Sequence, residues 1–372
     1  MKRFLSFFRQ EPVLCISGIL AALSMFAVPP DRGYLSYIDC STLAILFSLM
    51  LVVAGLSKAG VFRALTKVLT KRVTSPRGLI FLLVLVCFFL SAFVTNDVAL
   101  ITFVPFTIGL LGTRDWKRLI GTIVTETVAA NLGSLITPMG NPQNLFLYQF
   151  YGFTAPDFLL TMLPLGAVSL VICLLLALFV PKGDPLSQAE SGADEAEVSL
   201  QRGSAILWGA AFLLCLFCVA GFVPWWLCLC LVALTALLRD RKLFSGVDYS
   251  LLVTFVFFFL FVGNVARIDS ISRFVRSVLT GRELIVSALL SQVISNVPAA
   301  TMLASFTNQA RALLYGVNIG GLGTLIASMA SLISYRRYAA SVGARRGYYM
   351  AVFSLVNFFL LALLLLLSVY FF

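Results

Sequence analysis

Two short polar motifs interrupt apolar stretches of this chain, and they match each other. The first reads Ser-Ala-Phe-Val-Thr-Asn-Asp-Val-Ala at 91–99, and the second reads Ser-Gln-Val-Ile-Ser-Asn-Val-Pro-Ala at 291–299. The offset is 200 residues, so Asn96 aligns with Asn296. An Asn side chain offers hydrogen-bond donors and acceptors, while helix ends expose N–H groups that attract anions and carbonyls that attract cations. The matched motifs therefore predict a binding site for small ions.

A second pair of polar segments contains several helix-breaking residues. Residues 131–144 read Asn-Leu-Gly-Ser-Leu-Ile-Thr-Pro-Met-Gly-Asn-Pro-Gln-Asn, and residues 318–331 read Asn-Ile-Gly-Gly-Leu-Gly-Thr-Leu-Ile-Ala-Ser-Met-Ala-Ser. At an offset of 187 residues an Asn, a Gly, a Leu and a Thr coincide. Proline removes a helical hydrogen bond and glycine permits unusual backbone angles, so both segments predict helix breaks whose freed carbonyls could bind a cation. A glycine packing seam between helices is the alternative.

Two carboxylates, Asp97 and Glu126, lie well inside apolar sequence. Because a buried unpaired charge is costly in an apolar environment, such residues usually have a function. Asp97 could take up a proton, balance a bound cation or merely cap the helix that follows. Glu126 could couple ions to transport, or it could be a neutral or Arg-paired structural group. We treat both as candidate coupling residues.

The composition is that of an integral membrane protein. Apolar residues make up 60% of the chain, charged residues only 12%, and the mean hydropathy is +1.00, whereas a soluble domain needs roughly twice that charge. The chain has no His and no Ser/Lys or paired-Asp catalytic signature, so neither an enzyme activity nor a cofactor is expected. The net charge of +11 sits in short loops between apolar runs, a pattern that orients membrane helices and predicts no nucleic-acid partner.

Apolar segments long enough, or nearly so, to cross a bilayer recur along the chain, since a crossing takes about 20 residues. They are 12–29, 41–58, 155–180, 204–222, 224–238, 249–264 and 347–371. Two amphipathic stretches, 60–75 and 266–281, combine basic and apolar faces and predict helices lying in the membrane interface.

The polar motifs divide four further apolar stretches. Residues 78–113 and 283–306 are interrupted by the first pair of motifs and have arms that are short for a crossing, so they predict re-entrant hairpins with Asn96 and Asn296 at the tips. Residues 118–153 and 309–335 are interrupted by the second pair and predict discontinuous helices. Non-helical backbone at this depth is tolerated only where protein or a cavity covers it.

The element order predicts an all-α polytopic membrane protein built from an inverted repeat. The first repeat is 1–181, an acidic cytoplasmic linker is 182–202, and the second repeat, with one additional leading helix, is 203–372. Of the 27 Lys and Arg residues, 21 fall on one side of this arrangement. By the positive-inside rule that side is cytoplasmic, so the N-terminus is expected inside and the C-terminus outside the inner membrane.

The motifs resemble those of the ion-transporter superfamily, which includes divalent-anion:sodium symporters, citrate transporters and arsenite permeases. The likeness rests on the tip motifs, on Thr-Pro-Met-Gly-Asn-Pro-Gln-Asn at 137–144 and on the order of hairpins and broken helices, and it covers about 12–371. Two departures stand out, because the tip threonine of the divalent-anion symporters is Asp97 in one half and Val297 in the other. A carboxylate beside the site should repel a dianion unless it is protonated or paired.

The resemblance implies particular site residues. Cation ligands, with Na⁺ as the ion, are expected at Ser91, Asn96, Gly140, Ser291, Asn296 and Ala327. Substrate contacts are expected at Asn96, Asn141, Asn296 and Ser328, and we add Asp97 because it adjoins the first tip. The family works by alternating access, commonly as a homodimer in the lipid bilayer.

The expected function is secondary active transport of a small anion, a di- or tricarboxylate or an inorganic oxyanion, coupled to Na⁺ or H⁺. An arsenite-type efflux permease or a cation/proton antiporter is the alternative. A channel and an intramembrane enzyme are less favoured, because two opposed hairpins are typical of alternating access and no catalytic signature is present.

Overall fold

The computed structural model describes residues 11–70, 75–112, 115–181 and 200–370. All regular secondary structure in these ranges is helical. By length and apolar composition, six of these helices can cross a membrane, or seven if one pair bent by 110° counts as a single span. The chain is an all-α polytopic membrane protein. Residues 182–199 of the predicted acidic linker lie outside the described residues, as do the basic residues before residue 11.

The helices of the first half precede the linker. They are α1 (Pro12–Ala27), α2 (Tyr34–Tyr37), α3 (Cys40–Lys58), α4 (Val61–Thr70), α5 (Pro76–Val94), α6 (Asn96–Leu111), α7 (Trp116–Ser134), α8 (Pro142–Phe150) and α9 (Ala155–Phe179).

The helices of the second half follow the linker. They are α10 (Arg202–Val219), α11 (Trp225–Arg239), α12 (Tyr249–Ala266), α13 (Asp269–Leu279), α14 (Glu283–Ile294), α15 (Asn296–Ala304), α16 (Ala310–Ile319), α17 (Met329–Ala339) and α18 (Arg346–Ser368). Helices α13 and α14 are the pair bent by 110°.

Some helix lengths differ from those expected. With 19 residues, α5 is long enough to span and is not the short hairpin arm predicted from the sequence. The Ser75 side chain accepts a hydrogen bond from the Gly78 N–H, and Pro76 occupies the first helical position, so α5 begins before residue 78. Helix α1 ends at Ala27 and not at residue 29 as predicted, because Pro29 and Pro30 cannot continue a helix. Helix α11 has 15 residues, the predicted length, and begins directly after Pro224.

Both hairpins turn at one residue with a positive φ angle. Helices α5 and α6 pack against each other around Thr95 (φ 88°) and form the first hairpin, and α14 and α15 do so around Ser295 (φ 80°) and form the second. Because a positive φ lies outside the right-handed helical region, each helix stops there and a new one begins at Asn96 or Asn296. The first broken helix is α7–α8 and the second is α16–α17.

The helices form two packed groups. In the first group, which we call the scaffold, α1 packs against α12, and α3 packs against α10 and α11. In the second group, which we call the core, each hairpin packs against the broken helix of its own half. The halves also exchange contacts, because α8 packs against α15 of the second hairpin while α17 packs against α6 of the first. This exchange brings both helix breaks to the centre of the core.

Two exposed ion pairs join the scaffold at matching points of the two halves. Lys58, at the end of α3, pairs with Asp240, which follows α11. Arg267, which follows α12, pairs with Asp31 after α1, at 2.8 Å between Nη1 and Oδ2. The basic partner lowers the pKa of each Asp carboxyl from its ordinary value. Exposed pairs of this kind stabilise little. In each half, however, a basic residue at the end of a scaffold helix pairs with an Asp that follows a neighbouring scaffold helix.

Candidate functional site

Each hairpin tip is hydrogen-bonded to the helix break of its own half. The Asn96 N–H donates to the Gly140 carbonyl at 3.1 Å, and the Asn296 N–H donates to the Ala327 carbonyl at 2.9 Å. These four residues are among those for which the resemblance implies cation ligation. The structure therefore brings them together as two matching tip-to-break contacts.

The two helix breaks also contact each other through side chains. The Asn131 Oδ1 accepts hydrogen bonds from Asn96 Nδ2 at 3.1 Å and from Ser328 Oγ at 2.9 Å. On the other side, Asn141 Nδ2 donates to Asn318 Oδ1 at 3.1 Å. Asn131 and Asn318, the first residues of the two polar segments, are thus each hydrogen-bonded to a residue beside the break of the opposite half. The partner of Asn131 is Ser328, and the partner of Asn318 is Asn141. Since all five side chains are buried, they form one polar centre inside the core.

Side-chain amides also satisfy the backbone of both breaks. Asn144 Nδ2 donates to the carbonyls of Ser134, Leu135 and Thr137. Gln292 Nε2 donates to the carbonyls of Gly320 and Leu322 at 2.8 and 2.9 Å. Unpaired carbonyls are costly when buried, so these amides let the breaks persist. Gln292 is absent from the sequence predictions, although an amide within the apolar run of a hairpin arm was a usable signal.

Ser91 and Ser291 lie where hairpin arms pack closely against broken helices. Both are buried, and their hydroxyls donate to the carbonyls of Phe88 and Ser287 in their own helices. A Cβ at Gly133 would lie 2.0 Å from the Phe88 carbonyl oxygen, and one at Gly320 would lie 2.8 Å from the Ser291 Oγ. Only glycine permits this approach, which keeps each serine beside the break of its half.

The tips and breaks line a common space, which we call the central cavity, of 60 Å³. Asn96, Asn296, Ser328 and Asp97 line it, as do residues that sequence reasoning missed. Those are Glu11 at the start of α1 and Asp248 at the start of α12. The charged side chains among its described lining residues are all acidic.

A second space, the side cavity, has a volume of 230 Å³ and lies between α3 and the first hairpin. Asp97 and Asp248 line it as well as the central cavity. Asn141 lines the side cavity and not the central one, although its neighbour Pro142 lines both. The five predicted substrate contacts are therefore divided between two adjacent cavities. The Asp97 carboxylate accepts no hydrogen bond from the described residues, which does not favour a mere capping role.

Glu126 lies apart from both cavities. It is fully buried, and its Oε1 accepts a hydrogen bond from Thr107 Oγ1 at 2.5 Å. Its Oε2 has no hydrogen-bond partner among the described residues. The described hydrogen-bond partner of Glu126 is a threonine hydroxyl of α6, and no ion pair with an Arg is found among the described residues.

Oxygen atoms of several kinds surround the polar centre. No group of three or more Cys, Asp or Glu residues in the described ranges is arranged to hold a metal ion. A cation at the tips would instead meet carbonyl, amide and hydroxyl oxygens, which suit a hard ion such as Na⁺.

Several proteins similar to this chain are named as transporters. A family model described as a citrate transporter, CitMHS, matches residues 9–311. The uncharacterized transporter MJ0456 of Methanocaldococcus jannaschii is 31% identical over 324 residues, or 86% of each chain. The inner membrane protein YbiR of Escherichia coli is 33% identical over 330 residues, 87% of this chain and 86% of the relative. The silicon efflux transporter LSI3 of Oryza sativa subsp. japonica is 30% identical over 190 residues, 50% of this chain and 39% of the relative. This chain belongs to the CitMHS citrate transporter family and is a membrane transporter.

Proposed function

We propose that the chain is a secondary active transporter that binds a small anion together with Na⁺ or H⁺ at the hairpin tips and moves both by alternating access. The observation that carries this proposal is the central cavity, which both tips and Ser328 line. Matching helix breaks that meet in the membrane are a common design for solute and ion sites in transporters.

The acidic lining adds a condition to anion binding. Glu11, Asp97 and Asp248 line the central cavity, and no described Lys or Arg does. A bare di- or tricarboxylate would be repelled there, since like charges at close range interact unfavourably. We therefore infer that the anion enters with its charge reduced by a bound cation or proton. Asp97 is the residue we assign to coupling, because it adjoins the tip and faces the cavity.

The same acidity favours a second candidate function. An efflux permease for an uncharged oxyacid, or a cation/proton antiporter, would need no positive side chain at the tips. The silicon efflux transporter among the relatives supports the first of these candidates. Arsenious acid is likewise an uncharged oxyacid, so arsenite-type efflux falls under the same candidate function.

Uptake into proteoliposomes decides between the anion transporter and the oxyacid permease. With an imposed Na⁺ or H⁺ gradient, we expect one of citrate, sulfate, arsenite or silicic acid to accumulate against its own gradient. Accumulation of citrate or sulfate supports the anion transporter, and accumulation of arsenite or silicic acid supports the oxyacid permease. Flux that only dissipates the solute gradient, whatever ion gradient is imposed, would indicate a channel and contradict both proposals.

The orientation is a separate proposal. We propose that the first hairpin enters from the cytoplasm and the second from outside, with the N-terminus inside and the C-terminus outside the inner membrane. Ser75, before the first hairpin, and Thr280, before the second, are both exposed. In a variant without the native cysteines, Ser75→Cys should react with an impermeant thiol reagent only from the cytoplasmic side and Thr280→Cys only from the outer side. Reaction of both from one side would contradict the inverted repeat.

We also propose that the chain forms a homodimer, as the family resemblance implies. Native mass spectrometry of the purified protein tests this, and a monomer as the sole species would contradict it.

A further inference from the structure

We propose that the side cavity is a separate binding site for amphipathic monocations, molecules with one ammonium group on a short apolar chain. This ligand class differs from the anions and oxyacids considered above. The inference rests on the shape and lining of the cavity and not on transport.

The walls of the side cavity are apolar on two facing elements. Leu49, Met50 and Val53 lie on one face of α3, at the spacing of successive helical turns. Val98 and Ile101 of α6 lie across from them. Apolar walls with a few convergent polar groups are typical of small-molecule pockets. The apolar chain of a ligand would lie between α3 and α6.

The polar end of the cavity is acidic. Asp97 and Asp248 are the charged residues that line it within the described ranges, and no described Lys or Arg does so. The Asp248 carboxylate accepts a hydrogen bond from the Leu251 N–H at 2.9 Å, while that of Asp97 accepts none from the described residues. An ammonium group has three donors and no acceptor, so it complements this end, whereas a carboxylate would be repelled.

A ligand bound in the side cavity would lie between a scaffold helix and a hairpin helix, and it would therefore affect transport. In the second half, α12 packs against α15 of the second hairpin. In the first half, the corresponding α3 faces α6 across the side cavity. Alternating access requires hairpins and scaffold to move against each other, so a bound cation would hold this gap open. It would also occupy Asp97 and compete with the coupling ion.

Thermal unfolding of the purified full chain in detergent tests the site. The probes are hexylammonium, hexanoate and hexanol, which share a chain length and differ in charge. We expect only hexylammonium to raise the unfolding midpoint, and to do so saturably. In Asp97→Asn the half-saturating concentration should rise by about tenfold or more, because a charge-assisted hydrogen bond is lost. Val53→Phe should abolish the shift by filling the cavity. Asp157→Asn, an exposed acid at the start of α9, is the matched control and should retain the full shift.

Three outcomes would overturn the proposal. Equal shifts with all three probes would indicate partitioning into the micelle. A full shift in Asp97→Asn would remove the role of the carboxylate. Loss of the shift in Asp97→Asn with a full shift in Val53→Phe would place the cation in the central cavity instead. None of these outcomes depends on transport, so they leave the proposed function to its own test.

Discussion

Replacing Asn96 or Asn296 by alanine should reduce gradient-driven uptake by roughly 10- to 100-fold while leaving the protein folded and inserted. A hydrogen bond to a charged partner contributes about 1.5–3 kcal/mol, and each 1.4 kcal/mol is about tenfold in binding. Both side chains line the central cavity. Because Asn131 keeps its hydrogen bond from Ser328, the Asn96→Ala variant should not dismantle the contact between the breaks.

Initial uptake rates in proteoliposomes, together with the unfolding midpoint, measure this prediction. Asn308→Ala is the matched control, since Asn308 is exposed and lies outside both cavities. Near-normal uptake by one tip variant would remove the assignment for that half only. A large fall in the midpoint together with lost uptake would mean that the Asn is structural.

The all-α polytopic fold class and the family resemblance are confirmed, while the inverted repeat stays a prediction. The polar stretches 91–97 and 131–144 each contain the point at which one helix ends and the next begins, at Thr95 in the first and at residues 135–141 in the second. The match between Asn96 and Asn296 was readable in the sequence as well. The inverted orientation and the site assignments stay predictions.

Contacts between the two halves could not be read from the sequence. The hydrogen bond between Ser328 and Asn131 joins residues 197 positions apart, and which break faces which depends on how the halves pack. Glu11 and Asp248 were missed because each stands at the start of a scaffold helix, where an acid is an ordinary first-turn or capping residue. Only the packed structure places them opposite Asp97.

Asp97 directly follows the first hairpin tip and lines the acidic central cavity. We therefore expect its replacement to have the second large effect. Its carboxylate faces both cavities and accepts no hydrogen bond from the described residues. An ionised group in such a position needs a counter-charge, and a coupling cation or proton would supply one. The solute would then bind well only after the cation or proton has arrived, which links the two movements.

Asp97→Asn keeps the size and polarity of the side chain but cannot ionise. We expect net accumulation driven by a Na⁺ or H⁺ gradient to fall to the level set by the solute gradient alone, while exchange of solute across the membrane persists. Driven uptake and exchange should be measured in parallel across a range of pH and Na⁺ concentrations in the parent, in Asp97→Asn and in the Asp157→Asn control. Loss of exchange as well would mean that Asp97 binds solute and does not merely couple it. Identical pH and Na⁺ dependence in Asp97→Asn and the parent would reject the coupling role, because a group that binds the driving ion cannot be replaced by a neutral amide without changing the response to that ion.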